Sequence, residues 1–364
     1  MKLKISDNIE SLIPYPPGKP IEELEREYGI TGSIKLASNE NALGPSPKAA
    51  AAIAGALTKL HIYPDGSCYY LANRLAAKLD VKPEEIVFGN GSNEIIELLT
   101  TTFVSPGEEV ISSLPTFLVY QKVVQSRGGA NRVVPLKEMH HDLDAIADSV
   151  TEKTRLIFLD NPNNPTGTVF QKNEFQLFLE KIPENVVVVL DEAYLDFVDP
   201  DVRLDARNYL YEKTPVVALR TFSKAYGLAA LRIGYGLMRY EIADYLHRVR
   251  QPFNVNYPAQ VGGMAALDDE EHYQKTLKMT RDSIDWLSSK VRELGCIPFP
   301  SQTNYVLVDV KTDADSLYKK LLSRGVIIRG MKAYGYPNYI RITAGLPDDN
   351  QRFISALTES LKEL

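Results

Sequence analysis

The sequence predicts an α/β fold, a mostly parallel sheet sandwiched by helices in a large domain, with a smaller α+β domain beside it. Three observations point there. Short, continuous apolar runs alternate with helical patterns through the middle of the chain, as strands buried on both faces require. Each chemically conspicuous segment falls just past one of those runs, where open α/β sheets bind their ligands. After about residue 255 the pattern changes to one long amphipathic helix followed by shorter elements. At 364 residues the chain is also too long for one compact core. The expected division is an arm with part of the small domain at 1–40, a large domain at 41–254 and a small domain at 255–364.

Taken in order, Pro14, Pro16, Pro17 and Pro20 make the first stretch an extended arm before a short helix. The alanine-rich run 49–56 reads as ordinary helix. Glu85-Ile86-Val87-Phe88 is strand-like and leads through Gly89-Asn90-Gly91-Ser92 into a helix over 93–99. The run 109–111 precedes Pro115-Thr116-Phe117, and 155–159 precedes Asn161-Pro162-Asn163-Asn164-Pro165-Thr166-Gly167. The run 186–190 ends in Asp191-Glu192-Ala193-Tyr194, and 216–219 leads to Thr221-Phe222-Ser223-Lys224. Further on, 273–294 carries Leu277, Ile284, Leu287, Val291 and Leu294 on one helical stripe, with Gly295 as its stop. Strands are expected at 304–310, 326–329 and 339–343, and helices at 315–324 and from 350 to the end.

Composition narrows the function classes. Hydrophobic residues at 44% and charged residues at 24% are those of a soluble globular protein. A net charge of −6 argues against non-specific nucleic-acid binding. Cys68 and Cys296 lie far apart without a CxxC pairing, which reads as free thiols in a reducing compartment. The first residues lack a signal peptide's apolar stretch, and no apolar run approaches the roughly 20 residues that span a bilayer. A cytoplasmic protein with no membrane partner is expected. The histidines at 61, 140, 141, 247 and 272 lack metal spacing, so no metal is expected, and His140-His141 reads as a polar turn. There is no nucleophile-elbow serine, and Gly89-Asn90-Gly91 is not a dinucleotide fingerprint. The run 268–271 reads as a solvated helix start.

Lys224, Asp191 and Arg232 meet the three needs of one cofactor, pyridoxal 5′-phosphate (PLP). A lysine must present a neutral amine to the cofactor's aldehyde, against an ordinary pKa of about 10.4. Asp191 closes an apolar strand, where a bare carboxylate is costly, and a protonated pyridine nitrogen supplies its counter-charge. Phosphate calls for backbone amides, hydroxyls and an arginine. Gly91-Ser92-Asn93 opens a helix whose N–H groups attract anions. Ser223, Thr221 and Arg232 complete the shell. Phe117 is the candidate to stack on the ring.

These segments carry a resemblance. With Ala37-Ser38-Asn39-Glu40-Asn41, Tyr63-Pro64-Asp65-Gly66, Asn90 to Glu94 and Arg341-Ile342-Thr343, they make the chain similar over essentially its whole length to the aspartate-aminotransferase-like, fold type I PLP enzymes. The likeness is greatest to the histidinol-phosphate aminotransferase branch. The resemblance implies that Lys224 moves the proton between the substrate's α-carbon and the cofactor. Tyr194 and Asn164 share the cofactor's 3′-oxygen, and Tyr63 reaches the phosphate of a neighbouring subunit in a homodimer with a shared site. Arg341, Arg329, Tyr15 and Asn41 contact the substrate, two arginines suiting a phosphate better than one carboxylate. The implied reaction takes L-histidinol phosphate and 2-oxoglutarate to imidazole-acetol phosphate and L-glutamate, in histidine biosynthesis. Departures from the pattern are Ala42, Asn93, Ala230 and Gly330. The last is expected to loosen the loop that positions Arg329.

Rival readings share the scaffold. An aromatic amino-acid aminotransferase uses the same residues. A decarboxylase of a phosphorylated amino acid differs by releasing carbon dioxide. A ligand-sensing regulator domain calls for a separate DNA-binding domain, and the matching segments begin close to Met1.

Overall fold

The computed structural model describes residues 3–14 and 18–364. Strand β1 (Ile34–Lys35) precedes the seven strands of the main sheet. These are β2 (Ile86–Gly89), β3 (Glu109–Leu114), β4 (Ala130–Pro135), β5 (Thr154–Asp160), β6 (Val187–Asp191), β7 (Val216–Thr221) and β8 (Gly234–Leu237), in the order β2-β8-β7-β6-β5-β3-β4. Pairing is parallel from β7 to β4, while β8 runs antiparallel to both β7 and β2.

Side-chain alternation covers both faces of this sheet. Val188 and Leu190 of β6 enter one core with Ile157 and Ala218, and Val187 and Val189 enter the other with Phe158 and Val217. This is why β6 and β7 read as unbroken apolar runs. The expected α/β sandwich is present, with an antiparallel strand inside it. Strands β4 and β8 escape the sequence reading for different reasons. β4 lies at an edge and is mostly exposed, so it carries no apolar run. In β8 two glycines replace strand formers because the neighbours come too close. A Cβ on Gly234 would sit 2.4 Å from the backbone nitrogen of Ser92.

The C-terminal part holds β9 (Ile297–Pro298), β10 (Tyr305–Asp309), β11 (Val326–Ile327), β12 (Arg329–Gly330) and β13 (Tyr339–Thr343). Strands β12-β13-β10-β9 form an antiparallel sheet, and β11 pairs in parallel with β1. The single strand expected at 326–329 is thus two strands in different sheets. One half binds the N-terminal arm and the other binds β13. Gly330 does not sit in a loosened loop, because it is paired with Ile340 inside β12. Leu36, next to β1, enters the core of this second sheet together with Val306, Ile340 and Leu317.

The long helix runs Glu270–Glu293, three residues earlier than its apolar stripe implies. Its start is not fully solvated. Asp269 is buried and lies 3.8 Å from Lys48, beside the cap of helix Pro47–Ala56. Helix Tyr257–Leu267 contributes Ala259, Ala266 and Leu267 to the core of the main sheet. Both cysteines are buried and free. Among the described residues no helix is long and apolar enough to cross a membrane.

Candidate active site

A cavity of about 260 Å³ opens at the C-terminal ends of β5, β6 and β7. Eleven of the twelve residues expected around the cofactor line it: Gly91, Ser92, Asn93, Phe117, Asn164, Asp191, Tyr194, Thr221, Ser223, Lys224 and Arg232. Only Tyr63 lies elsewhere. It is 80% exposed and stacks on Phe253 with ring centroids 4.9 Å apart.

Asp191 ends β6, so the strand's burial takes its carboxylate out of water. That burial pushes its pKa up to about 6, the neighbouring carboxylate of Asp160 pushes the same way, and a hydrogen bond from Tyr120 opposes both. Tyr120 Oη donates to Oδ2 at 2.8 Å, and the Ala193 N–H donates to Oδ1 at 3.1 Å. Lys224 follows β7 and its Nζ donates to the Ser38 carbonyl at 3.3 Å. Burial, then the positive charges of Arg341 and Arg232, bring its pKa down to about 8, against the pull of Glu40 and Asp191. The site therefore makes the Lys224 amine easier to deprotonate and leaves a carboxylate in want of a cation. Its Nζ also stands 5.7 Å from the centre of the Tyr194 ring.

The phosphate end is built where Gly91 caps helix Ser92–Phe103. Gly91 has φ +73°, and a Cβ there would fall 2.6 Å from Arg232 Nη2. A guanidinium is thereby brought against the open N–H groups of a helix start, which is a cradle for an anion. Arg232 itself adopts φ +55°, an uncommon backbone state for a non-glycine residue. Its Nη1 reaches Ser223 Oγ at 3.5 Å. Thr221 Oγ1 accepts from the Ser223 N–H at 3.0 Å, so this hydroxyl also holds the turn. Phe117 packs edge-on to Tyr120. The residues present fit PLP, with an amine for its aldehyde, a buried carboxylate for its ring nitrogen and an anion cradle for its phosphate.

Around these groups lies a second layer that spacing did not reveal. Asn39 Nδ2 donates to Tyr194 Oη at 2.7 Å, and Asn39 adopts φ +55° to do so while its N–H donates to Thr343 Oγ1 at 3.0 Å. Burial pushes the Tyr194 phenol well above its ordinary range. Asn39 belongs to a conspicuous stretch, and its unusual backbone state was the missing signal. Tyr120 is buried on helix Val119–Ser126, and no sequence motif singles it out. Ser38, Glu40 and Asp160 also line the cavity.

The substrate candidates are placed unevenly. Arg341 is 6% exposed. Its Nη1 donates to Asn164 Oδ1 at 2.5 Å and its Nη2 to the Ala37 carbonyl at 3.0 Å, with the guanidinium 5.0 Å from the Tyr305 ring centre. Its Nε is buried without a hydrogen-bond partner among the described residues. Arg329 stands opposite Arg341 in the β12–β13 register, hence on the same face of that sheet, but outside the cavity lining. Asn41 is not brought into the cavity. Its Nδ2 donates to the Ala225 carbonyl and Thr276 Oγ1, its Oδ1 accepts from the Leu43 N–H, and it lines a neighbouring groove. Tyr15 lies outside the described residues. His140-His141 is not a simple polar turn: His140 faces solvent, but His141 is buried, 2.6 Å from Ser113 Oγ and 3.1 Å from Asp160 Oδ1.

Comparison with known proteins agrees with this geometry. The family Aminotransferase class I and II matches residues 31–357. The chain is 57% identical to a histidinol-phosphate aminotransferase of Desulfotalea psychrophila, over 100% of this chain and 97% of that one. It is 49% identical to another from Anaeromyxobacter, over 97% and 98% of the two chains. The solved histidinol-phosphate aminotransferase of Sinorhizobium meliloti, in complex with pyridoxal-5′-phosphate, superposes with a TM-score of 0.92 at 29% identity, covering 100% of this chain and 99% of that one. The chain belongs to the histidinol-phosphate aminotransferase family, within the class I and II aminotransferases.

Proposed function

We propose that the chain catalyses the PLP-dependent transamination of L-histidinol phosphate with 2-oxoglutarate, giving imidazole-acetol phosphate and L-glutamate, in histidine biosynthesis. The observation that carries this is the meeting of Lys224, Asp191 and Arg232 around one cavity in a chain 57% identical to a histidinol-phosphate aminotransferase.

When bound, PLP supplies an aldehyde for the amino group and a ring that withdraws electrons from the substrate's α-carbon. Lys224, made easier to deprotonate by its buried surroundings, would be the group that takes the substrate's α-proton on Nζ and returns a proton when the reaction runs on. Asp191, its carboxylate oriented by Tyr120, would pair its charge with the ring nitrogen. Tyr194 and Asn164 would hold the 3′-oxygen. The Gly91–Asn93 amides, Thr221, Ser223 and Arg232 would hold the phosphate. Arg341 grips the substrate's anionic group, the phosphate of one substrate and a carboxylate of the other, with Arg329 and Tyr15 adding to it.

The working unit is a homodimer, with Tyr63 from one copy reaching the phosphate in the other. Exposed aromatics support this, since Tyr63, Tyr69 and Tyr70 are exposed at 80%, 59% and 73% in a single chain. Its place is the cytoplasm, in keeping with two free thiols. The test is L-glutamate formation from 2-oxoglutarate with L-histidinol phosphate or L-phenylalanine as donor. A higher kcat/KM for histidinol phosphate supports the proposal. Preference for phenylalanine would move the function to aromatic amino acids, and release of carbon dioxide would replace it with decarboxylation.

A further inference from the structure

Asp160, the last residue of β5, has no task in the chemistry above. It nevertheless lines the same cavity, is 3% exposed, and stands in register with Asp191 on the adjacent strand. Its carboxylate gathers four groups. Oδ1 accepts from Thr116 Oγ1 at 2.6 Å and Asn163 Nδ2 at 3.0 Å, and faces His141 Nε2 at 3.1 Å. Oδ2 accepts from the backbone N–H of Asn164 at 2.8 Å. His141 Nε2 also faces the Asp160 carbonyl at 3.0 Å, so the proton sits on that nitrogen, and Nδ1 accepts from the Ser113 hydroxyl at 2.6 Å. Ser113, Thr116, His141 and Asn163 are all buried.

This hub ends on the arginine of the substrate site. Asn164, pinned through its backbone by Asp160, accepts from Arg341 Nη1 at 2.5 Å through its side-chain oxygen. The other amide atom, Nδ2, makes no hydrogen bond among the described residues and is left for a ligand. Each link from His141 through Asp160 and Asn164 to Arg341 is a hydrogen bond, and His141 lies outside the cavity lining.

We propose that Asp160 is a positioning residue which, through Asn164, sets the place of Arg341 and so the grip on the substrate's anionic group. This rests on the function proposed above. A carboxylate that only filled the end of β5 would be replaceable by an isostere at a cost in stability alone. A positioning carboxylate would instead change anion affinity, because Asp160→Asn turns an acceptor into a donor facing Thr116, Asn163 or the Asn164 N–H.

The experiment compares wild type, Asp160→Asn, Asn164→Ala and the double variant as holoenzymes. The KM for L-histidinol phosphate is expected to rise about 10-fold in Asp160→Asn, with kcat changed less. The Kd of inorganic phosphate, measured by calorimetry without turnover, is expected to rise in parallel. In the double variant the two effects on Kd are expected to be non-additive, since both act through one amide. Where Asp160→Asn does not fold, His141→Ala removes one support without touching the cavity lining, and the same non-additivity with Asn164→Ala is expected. A lowered melting temperature with unchanged KM and phosphate Kd, or strictly additive effects, would overturn the inference. Wild type separates the two levels: failure of wild type to turn over histidinol phosphate defeats the proposed function, while an active wild type indistinguishable from Asp160→Asn defeats only the role of Asp160.

Discussion

Burying the Lys224 amine should cost the cofactor-free protein stability, by an amount that follows from its pKa. Lys224 falls from 10.5 to about 8. At about 1.36 kcal/mol per pH unit, a shift of about 2.5 units is about 3 kcal/mol. The sign follows from proton counts. Below pH 8 both folded and unfolded chains carry the proton, and the whole penalty is present. Between about 8 and 10.5 the unfolded chain binds more protons, so stability rises with pH, and above that window the penalty is gone. Replacing Lys224 by Met removes the penalty and also the hydrogen bond to Ser38, worth about 1 kcal/mol. The net gain for the apoprotein at pH 7 is therefore about 2 kcal/mol, or about 3 °C for a chain of this length. Thermal melts of cofactor-free wild type and Lys224→Met at equal concentration measure it. The advantage should be largest at pH 7 and shrink, then reverse, by about pH 10. A variant less stable than wild type at pH 7, or a difference indifferent to pH, would refute the reasoning. The same strain serves chemistry, because lowering the pKa to about 8 leaves roughly 300 times more neutral amine at pH 7 than an ordinary lysine has.

Further outcomes are expected. Lys224→Ala should abolish multiple turnover while circular dichroism shows an intact fold. Tyr120→Phe removes the 2.8 Å bond to Asp191 and should weaken PLP binding about 10-fold or more, read by titrating the apoprotein with PLP. Arg341→Ala should lower kcat/KM for both substrates by about 100-fold, since it leaves an anion unpaired in a buried site, and Arg341→Lys should not restore the planar fork. If the active site is shared, mixing Tyr63→Ala and Lys224→Ala subunits should give activity above the sum of the parents, because one site of each heterodimer keeps both residues.

Much of this site was legible because the main sheet announces itself. Buried parallel strands read as plain apolar runs, and Asp191 and Lys224 stand where such runs stop. What spacing could not supply is which side chains meet after folding. His141 read as half of a polar pair, and no motif in the sequence singles out Asp160 or Tyr120. Tyr120 and His141 gain their meaning from groups 71 and 19 residues away, and Asp160 joins such contacts to Asn164 four residues on. Strand β8 was hidden because contact with the helix start demands glycine where a strand former would otherwise show. Asn41 shows the converse limit: a conspicuous stretch does not tell where each of its asparagines turns, and Asn39 bonds Tyr194 while Asn41 lines a neighbouring groove.

The most direct measurement is the visible absorbance of the holoenzyme mixed with L-histidinol phosphate alone, without 2-oxoglutarate, with L-phenylalanine in parallel. The account predicts rapid loss of the cofactor's visible band with histidinol phosphate, one imidazole-acetol phosphate per site, and slow loss with phenylalanine. Faster conversion by phenylalanine would contradict the substrate, and a protein that binds no cofactor even when PLP is supplied would contradict the central claim.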